Sequence, residues 1–183
     1  MLERKPILYL ISGPPGAGKS TTSRAIAERL GRSAMIDGDD IYHLVVSGNR
    51  SPWESPFHVG LMWRNIAALA RHFADAGHDV VINYVIFRAD IERFKAELGD
   101  GWLRRVTLKF ILLTAAEEEL RRRDAERTPE LRMGERCGIV LRELLADHGA
   151  DAGHRLDTTA LALEQAVEEI IGGARFEIVH PGS

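Results

Sequence analysis

Residues Gly13 to Ser20 read G-P-P-G-A-G-K-S: a glycine, four residues, then Gly-Lys-Ser. Ahead of them, Ile7 to Ile11 is a short apolar run rich in strand formers. Behind them, Thr21 to Leu30 carries Ile26, Ala27 and Leu30 on one helical face, with Gly31 placed to stop the helix. A strand that turns through glycines into a helix is the setting a phosphate-binding loop requires. Gly13, Gly16 and Gly18 permit backbone angles that a side chain forbids, so successive N–H groups can converge on an anion. The helix N-terminus adds the positive end of its dipole at the same point. The segment therefore predicts a nucleoside-triphosphate site built from Gly13, Gly16, Ala17, Gly18, Lys19, Ser20 and Thr21. Lys19 would reach the terminal phosphates and the Ser20 hydroxyl would ligate Mg²⁺.

Further strands and amphipathic helices alternate along the 183 residues, without repeats or a shift in composition. That alternation predicts a single α/β domain over residues 1–183: a parallel sheet of about five strands with helices on both faces, in three layers. Ser33 to Ile36 reads as the second strand, and a short helix is expected over Asp40 to Val46. Ser55 and Pro56 read as the cap and first residue of a long helix that runs to Gly77, with Trp63 on its apolar face. Val80 to Tyr84 is continuously apolar enough for a buried parallel strand. A helix over Ala89 to Leu98 and a strand over Val106 to Leu113 follow. Thr114 and Glu117 spell a capping box for a charged helix, Glu117 to Arg127. A helix from Met133 to His148 is next, then a short strand at Arg155 to Asp157. Thr158 or Thr159 is expected to cap a last helix to Ile171, and Phe176 to Val179 to add an edge strand.

Composition narrows the class. An apolar share of 45% and a charged share of 28% are those of an ordinary soluble protein. A formal charge of −3 gives no general attraction to nucleic acid or an anionic membrane. One cysteine and seven histidines without metal-ligand spacing argue against a disulfide or a structural metal. No apolar run approaches a membrane span and Met1 to Pro6 is no signal peptide, so the expected compartment is the cytoplasm. Monomer and homodimer are both open.

The second chemical feature is Asp37-Gly38-Asp39 at the end of the second strand. Ligands of open parallel sheets bind beyond the carboxyl ends of the strands, so this pair should face the same crevice as the glycine loop. If the strand continues through them, both side chains point the same way. Phosphoryl transfer to an alcohol needs one anion for Mg²⁺ and one group to take the alcohol proton. The competing reading is a polar turn whose aspartates cap a helix.

In their order along the chain, Gly13 to Ser20, Asp37-Gly38-Asp39 and the arginine-rich helix resemble the small P-loop kinases of the gluconate kinase and shikimate kinase group. Chloramphenicol phosphotransferase is a more distant likeness. The similarity spans roughly Pro6 to Ile171. It implies ATP and Mg²⁺, with Asp37 on the metal and Asp39 as general base toward an acceptor hydroxyl. Gly38-Asp39 with His43 resembles the Gly-Asp pair and nearby histidine of gluconate kinases. It also implies a lid over about residues 117–134, whose R-x-x-x-R spacing appears as Arg123 and Arg127. Arg123 and Arg127 would then stabilise charge on the transferring phosphoryl while the lid excludes water. The alternative for that helix is a solvated face, with Glu117, Glu118, Glu119 and Glu126 pairing locally with the arginines.

The sequence departs from many phosphate-loop proteins in ending its third strand with Asn83 rather than an acid. An amide suits substrate hydroxyls better than Mg²⁺. Acceptor recognition is expected from His43, Arg50, Trp53, Arg64, Asn83 and Tyr84, and an adenine border from Thr158. These residues predict an ATP-dependent kinase for a sugar acid, a polyol or an antibiotic-like alcohol. A kinase for a nucleic-acid 5′-hydroxyl and a non-catalytic nucleotide-binding module are the rival readings.

Overall fold

The computed structural model describes residues 4–149 and 153–178. In chain order the elements are β1 (Ile7–Ser12), α1 (Lys19–Arg29), β2 (Ser33–Asp37), α2 (Gly38–His43) and α3 (Pro56–Asp75). There follow β3 (Asp79–Asn83), α4 (Arg88–Leu98), α5 (Asp100–Leu103), β4 (Thr107–Thr114) and α6 (Glu117–Ala125). The last are α7 (Arg136–His148), β5 (Arg155–Asp157) and α8 (Leu163–Gly172). The five strands form one parallel sheet in the order β2-β3-β1-β4-β5. From β1 the chain builds outward on one side through β2 and β3, then crosses to the other side for β4 and β5. The reversal opens a crevice beyond the carboxyl end of β1, where α/β sheets bind ligands.

Both faces of the sheet are covered, which is why β1 is apolar at every position from Leu8 to Ile11. Side chains of a strand alternate between faces. Leu8 and Leu10 accordingly join the core under α3 and α4, with Trp63, Ile66, Phe94 and Leu108. Tyr9 and Ile11 join the opposite core under α1 and α8, with Ile26, Ile111, Val167 and Ile170. Fully burying such a side chain contributes roughly 1.5–3 kcal/mol, so these two cores are what holds the layers together. Trp63 is wholly buried and its Nε1 donates to Asp90 Oδ1 at 2.9 Å. Asp90 Oδ2 in turn accepts the Phe87 amide that opens α4, so one carboxylate ties α3 to the start of α4. Lys109 is buried too, and its Nζ donates to the carbonyls of Ile170 and Ile171 at 3.2 and 2.8 Å. A cation against unpaired carbonyls at a helix C-terminus is favourable, and it tethers α8 to β4.

Four local expectations are corrected. Thr114 is the last residue of β4, not a helix cap: α6 starts after Ala116, whose amide donates to Thr159 Oγ1 at 2.8 Å. Neither Thr158 nor Thr159 caps α8, which starts after Ala162 with Gln165 Oε1 accepting its amide. Thr158 instead bonds the end of β4, and Thr159 bonds Asp157. The chain at Phe176 ends a short 3₁₀ turn, Ala174–Phe176, and touches the sheet through one antiparallel bridge, Lys109 to Glu177. Val179 lies outside the described residues. Finally β2 stops at Asp37 and α2 begins at Gly38, so Asp37 and Asp39 do not share an extended strand. The Ser55 cap, by contrast, forms as expected: its Oγ accepts the His58 amide, with Pro56 first in α3.

Candidate functional site

The glycine loop bridges β1 and α1 at the carboxyl edge of the sheet. Gly13, Gly16 and Gly18 all have positive φ, at 153°, 81° and 88°. At two of them space is as decisive as angle. A Cβ on Gly13 would lie 2.5 Å from the Leu113 carbonyl oxygen, and one on Gly16 would lie 2.5 Å from that of Leu120. The loop is thus pressed against the end of β4 and the base of α6 by backbone contact. Thr22 N, bonded to Gly18 O at 2.8 Å, is the first donor spent on α1. The amides of residues 18–21 precede it, at the positive end of the helix. Ala17 N is already used, on Pro14 O.

Lys19 folds back over the loop, donating to Gly13 O at 2.8 Å and Pro14 O at 3.1 Å. Burial pulls its pKa down to about 8; Asp39 and Asp37 oppose that fall, while Arg127 adds to it. These couplings bring together three parts of the chain that the sequence only aligned in order. The acid pair from β2 and α2, the lysine of the loop and Arg127, just beyond α6, lie close enough for their charges to interact.

Asp37 ends β2 and caps α2: its Oδ1 accepts the Asp39 amide at 3.0 Å. Its Oδ2 accepts from Asn83 Nδ2 at 2.9 Å, across the register pair that joins β2 and β3. The helix-capping role is therefore present, and it leaves lone pairs on both oxygens. Asn83 is 2% exposed and its Oδ1 has no partner among the described protein groups. Asp39 lies in the first turn of α2, its residue surface open while its carboxyl sits in partly desolvated surroundings. Burial of its carboxyl together with the Asp37 charge pushes its pKa up, and Lys19 and His43 counter part of the rise. Gly38 is obligatory between them, because a Cβ there would meet the Tyr84 ring at 2.7 Å. Tyr84 in turn stands edge-on to Trp63, so the sheet-end tyrosine rests on the main core.

The remaining acceptor candidates divide. His43 lies one turn beyond Asp39, with Nδ1 2.7 Å from the Asp39 carbonyl. Arg50 is exposed on the following loop and its carbonyl accepts the Tyr42 hydroxyl. Trp53 is 70% exposed, with the Arg136 guanidinium 4.9 Å from its ring centroid. Arg64 turns to Glu97 on α4 at 3.7 Å and so belongs to the outer contact of α3 with α4 rather than to the crevice.

The lid arginines also divide. Arg121 pairs with Glu117, and Arg122 with Glu119 and Glu126, the local pairing that the alternative reading describes. Arg123 bonds Glu119 and both the hydroxyl and carbonyl of buried Thr158, fastening α6 to the loop after β5. Arg127 has a single long side-chain contact, 3.4 Å to Asp124 Oδ1, and its charge helps lower the Lys19 pKa.

Asp124 is a residue the sequence reading passed over. It is 2% exposed and accepts the Met133 and Gly134 amides, each at 2.8 Å. Burial works against its charge, but those amides and Arg127 hold its pKa below the usual carboxylate range. Burial, with the Asp124 charge beside it, pushes the Cys137 thiol up. The spacing of Asp124, four residues after Leu120 on the inward face of α6, was the available signal.

The donor set fits Mg²⁺: the exposed Ser20 hydroxyl, the Asp37 carboxylate and the unpartnered Asn83 oxygen beside it. Hard oxygen donors in small number suit an ion that keeps waters and substrate phosphates in its shell. No cluster of three or more His, Cys, Asp or Glu is present among the described residues, so a self-contained protein cage is absent there. A cavity of about 290 Å³ lies elsewhere, beneath α4 and the end of α7, lined by Arg88, Phe110 and His148 among others. Its polar groups are engaged in the fold: His148 Nε2 bonds Ile86 O, and Arg88 bonds His148 O. No helix among the described residues is long and apolar enough to cross a membrane.

Solved structures share this fold. The tunicamycin resistance protein of Deinococcus radiodurans superposes with a TM-score of 0.68 at 23% identity, covering 97% of this chain and 100% of that one. The Mycobacterium tuberculosis APS kinase CysC, in complex with AMPPNP and APS, has a TM-score of 0.66 at 18% identity, covering 91% and 96%. A gluconokinase from Sinorhizobium meliloti 1021 has a TM-score of 0.56 at 21% identity, covering 91% and 90%. No curated protein matches the sequence. Residues 10–141, from the first strand through the glycine loop, the acid pair and the arginine-rich helix, match the AAA domain family, and the chain belongs to it.

Proposed function

We propose that this protein is an Mg²⁺-dependent kinase that transfers the γ-phosphoryl group of ATP to a hydroxyl of a small molecule. One observation carries the reading: Ile11 and Asp37 both pair in register with Asn83, so the acid pair stands at the sheet edge that carries the phosphate loop, near enough for the Asp39 charge to oppose the fall in the Lys19 pKa. The solved APS kinase, gluconokinase and tunicamycin resistance protein point the same way by name, toward sugar acids, other alcohols and antibiotic-like acceptors.

The chain's own groups supply the steps. The free amides of residues 18–21 and Lys19 hold the β and γ phosphates. Ser20 and Asp37 would hold Mg²⁺, with Asn83 fixing the Asp37 carboxylate by its amide. When bound, the metal would neutralise charge on the phosphates. The acceptor oxygen attacks the γ phosphorus as the bond to the β–γ bridging oxygen breaks, and Asp39 takes the hydroxyl proton. A raised pKa makes that carboxylate a better proton acceptor than a free aspartate. Arg127 offsets charge on the transferring group. Arg123, held by Glu119 and Thr158, carries the lid on the adenine side.

ATP consumption screened against sugar acids, polyols, nucleosides, hydroxylated antibiotics and a 5′-hydroxyl oligonucleotide tests this, with mass spectrometry of the product. Asp39→Asn should lower transfer by about 10²–10⁴-fold while leaving ATP affinity nearly intact. Unchanged transfer removes Asp39 from the mechanism. A phosphorylated oligonucleotide and no phosphorylated small molecule would replace the acceptor class.

A further inference from the structure

We propose that Asp124 is a positioning residue: one carboxylate oxygen closes the loop between α6 and α7, and the other holds the Arg127 guanidinium for the transferring phosphoryl group. The inference rests on the kinase reading and on the part that reading gives Arg127. Residues 126–135 join the two helices, and bonds within the segment close it on itself. The Leu131 and Arg132 amides donate to the Thr128 and Pro129 carbonyls around a 3₁₀ turn at Pro129–Leu131. Arg132 Nε donates back to the Arg127 carbonyl at 3.0 Å, and the Arg127 amide donates to the Asp124 carbonyl at 3.1 Å. The Asp124 side chain joins the two ends, because its Oδ2 accepts the amides of both Met133 and Gly134, each at 2.8 Å.

Closing a loop in this way needs an acceptor but no charge, since a neutral amide oxygen has lone pairs enough for two backbone N–H groups. Asp124 is buried, where an ionised carboxylate is costly unless it is paired. Its cation is Arg127, whose Nη1 lies 3.4 Å from Oδ1. The two oxygens therefore have separate tasks: Oδ2 fixes the carboxylate against the main chain, and Oδ1 is presented to the guanidinium. At 3.4 Å that contact is longer than an ordinary hydrogen bond, so charge orients Arg127 while most of its N–H donors stay available to phosphate oxygens. Arg122 and Arg123 differ, each making three side-chain bonds within the fold. The Arg127 charge also helps lower the Lys19 pKa, so the guanidinium stands near the loop that would hold phosphate. An asparagine at 124 cannot perform both tasks. With its oxygen toward the two amides, its NH₂ group meets the guanidinium; turned over, it sets NH₂ against the amides.

The test compares Asp124→Asn, Arg127→Ala and the double variant of the full chain for kcat and KM for ATP. The reaction is transfer to the acceptor found by the screen, or basal ATP hydrolysis where no alcohol accepts. Asp124→Asn should lower kcat on the order of tenfold at saturating ATP, less than Arg127→Ala does, and leave the KM for ATP nearly unchanged. Beside Arg127→Ala the same change should cost kcat almost nothing more, because the group it positions is gone. A carboxylate that only holds the loop together would cost the same factor in both backgrounds, and that additivity overturns the inference. So does a folded Asp124→Asn variant with unchanged kcat. Should Asp124→Asn not fold, Met133→Pro carries the test, because it removes one Oδ2 donor and leaves both charges in place. Arg132, at φ −73° and ψ 132°, already has the conformation of a residue before proline. Met133→Pro should lower kcat several-fold alone and not beside Arg127→Ala; equal loss in both backgrounds, or none in either, overturns the inference. Transfer that Arg127→Ala leaves unchanged overturns it while the kinase reading stands. Coupling of the two residues in basal hydrolysis, with no alcohol phosphorylated, would uphold the positioning role and defeat the kinase reading instead. No ATP turnover of any kind defeats both.

Discussion

The pH dependence of nucleotide binding should follow Lys19. Burial lowers its pKa to about 8 in the free protein, and bound phosphates must raise it again, because a polyanion favours the charged form. The sign follows from those two values. Below about pH 8 the ammonium is already present and affinity is flat. Above it, binding must first add a proton, so affinity falls with pH until the pKa of the complex is reached. From pH 7 to pH 9 the protonated fraction drops about tenfold, so Kd should rise about tenfold, equivalent to about 1.4 kcal/mol. The other groups around the amine do not mimic this. Asp39 and Asp37 are carboxylates, Arg127 keeps its charge, and burial pushes the Cys137 thiol upward. Calorimetry at pH 9 in two buffers of different ionisation enthalpy should register uptake of about one proton per nucleotide. Lys19→Met should bind weakly and without that uptake. A Kd flat from pH 7 to pH 9.5, or uptake that persists in Lys19→Met, would refute the assignment.

Three further outcomes follow from contacts. Gly16→Ala places a Cβ against the Leu120 carbonyl at a positive φ, so it should cost about 2 kcal/mol in urea unfolding and weaken nucleotide binding; an unaltered midpoint would mean α6 does not rest on the loop. Trp63→Phe removes the donor to buried Asp90 and should destabilise by about 3 kcal/mol without affecting the KM for ATP; a loss under about 1 kcal/mol would show that the bond carries little. Arg127→Ala should lower kcat on the order of 10²-fold at saturating ATP, whereas Arg123→Ala should act mainly on the KM for ATP, and the reverse pattern would exchange their roles.

Much of this was legible in the chain itself. The glycine loop needs no tertiary information, because its three glycines, lysine and serine are set by local backbone angles and by the helix that follows. The strands were legible for a related reason: a strand buried on both faces must be apolar throughout, as Leu8 to Ile11 and Val80 to Ile82 are. Trp63 could be assigned to the core from helical spacing alone. The misjudged termini were those where a side chain chose a distant partner over a near one. Thr158 and Thr159 bond the end of β4, Asp157 and the amide that opens α6, partners that exist only once β5 has paired with β4.

What the sequence by itself determined is therefore the inventory: the phosphate cradle, the acid pair, the arginine helix and their order on a parallel sheet. Only the tertiary structure decided their allocation. It separated Arg127, whose charge acts on Lys19, from Arg123, which is tied to Thr158, because α6 ends at Ala125 between the two. It made Asn83 the support of Asp37, and it gave buried Asp124 the task of holding the turn at Met133 and Gly134. The physical reason is one of range. Backbone angle and hydrophobic period act within a few residues and are written in the local sequence. A charge or a hydrogen bond is assigned by whichever group folding brings within a few ångströms, and neighbours in the chain do not reveal which group that is.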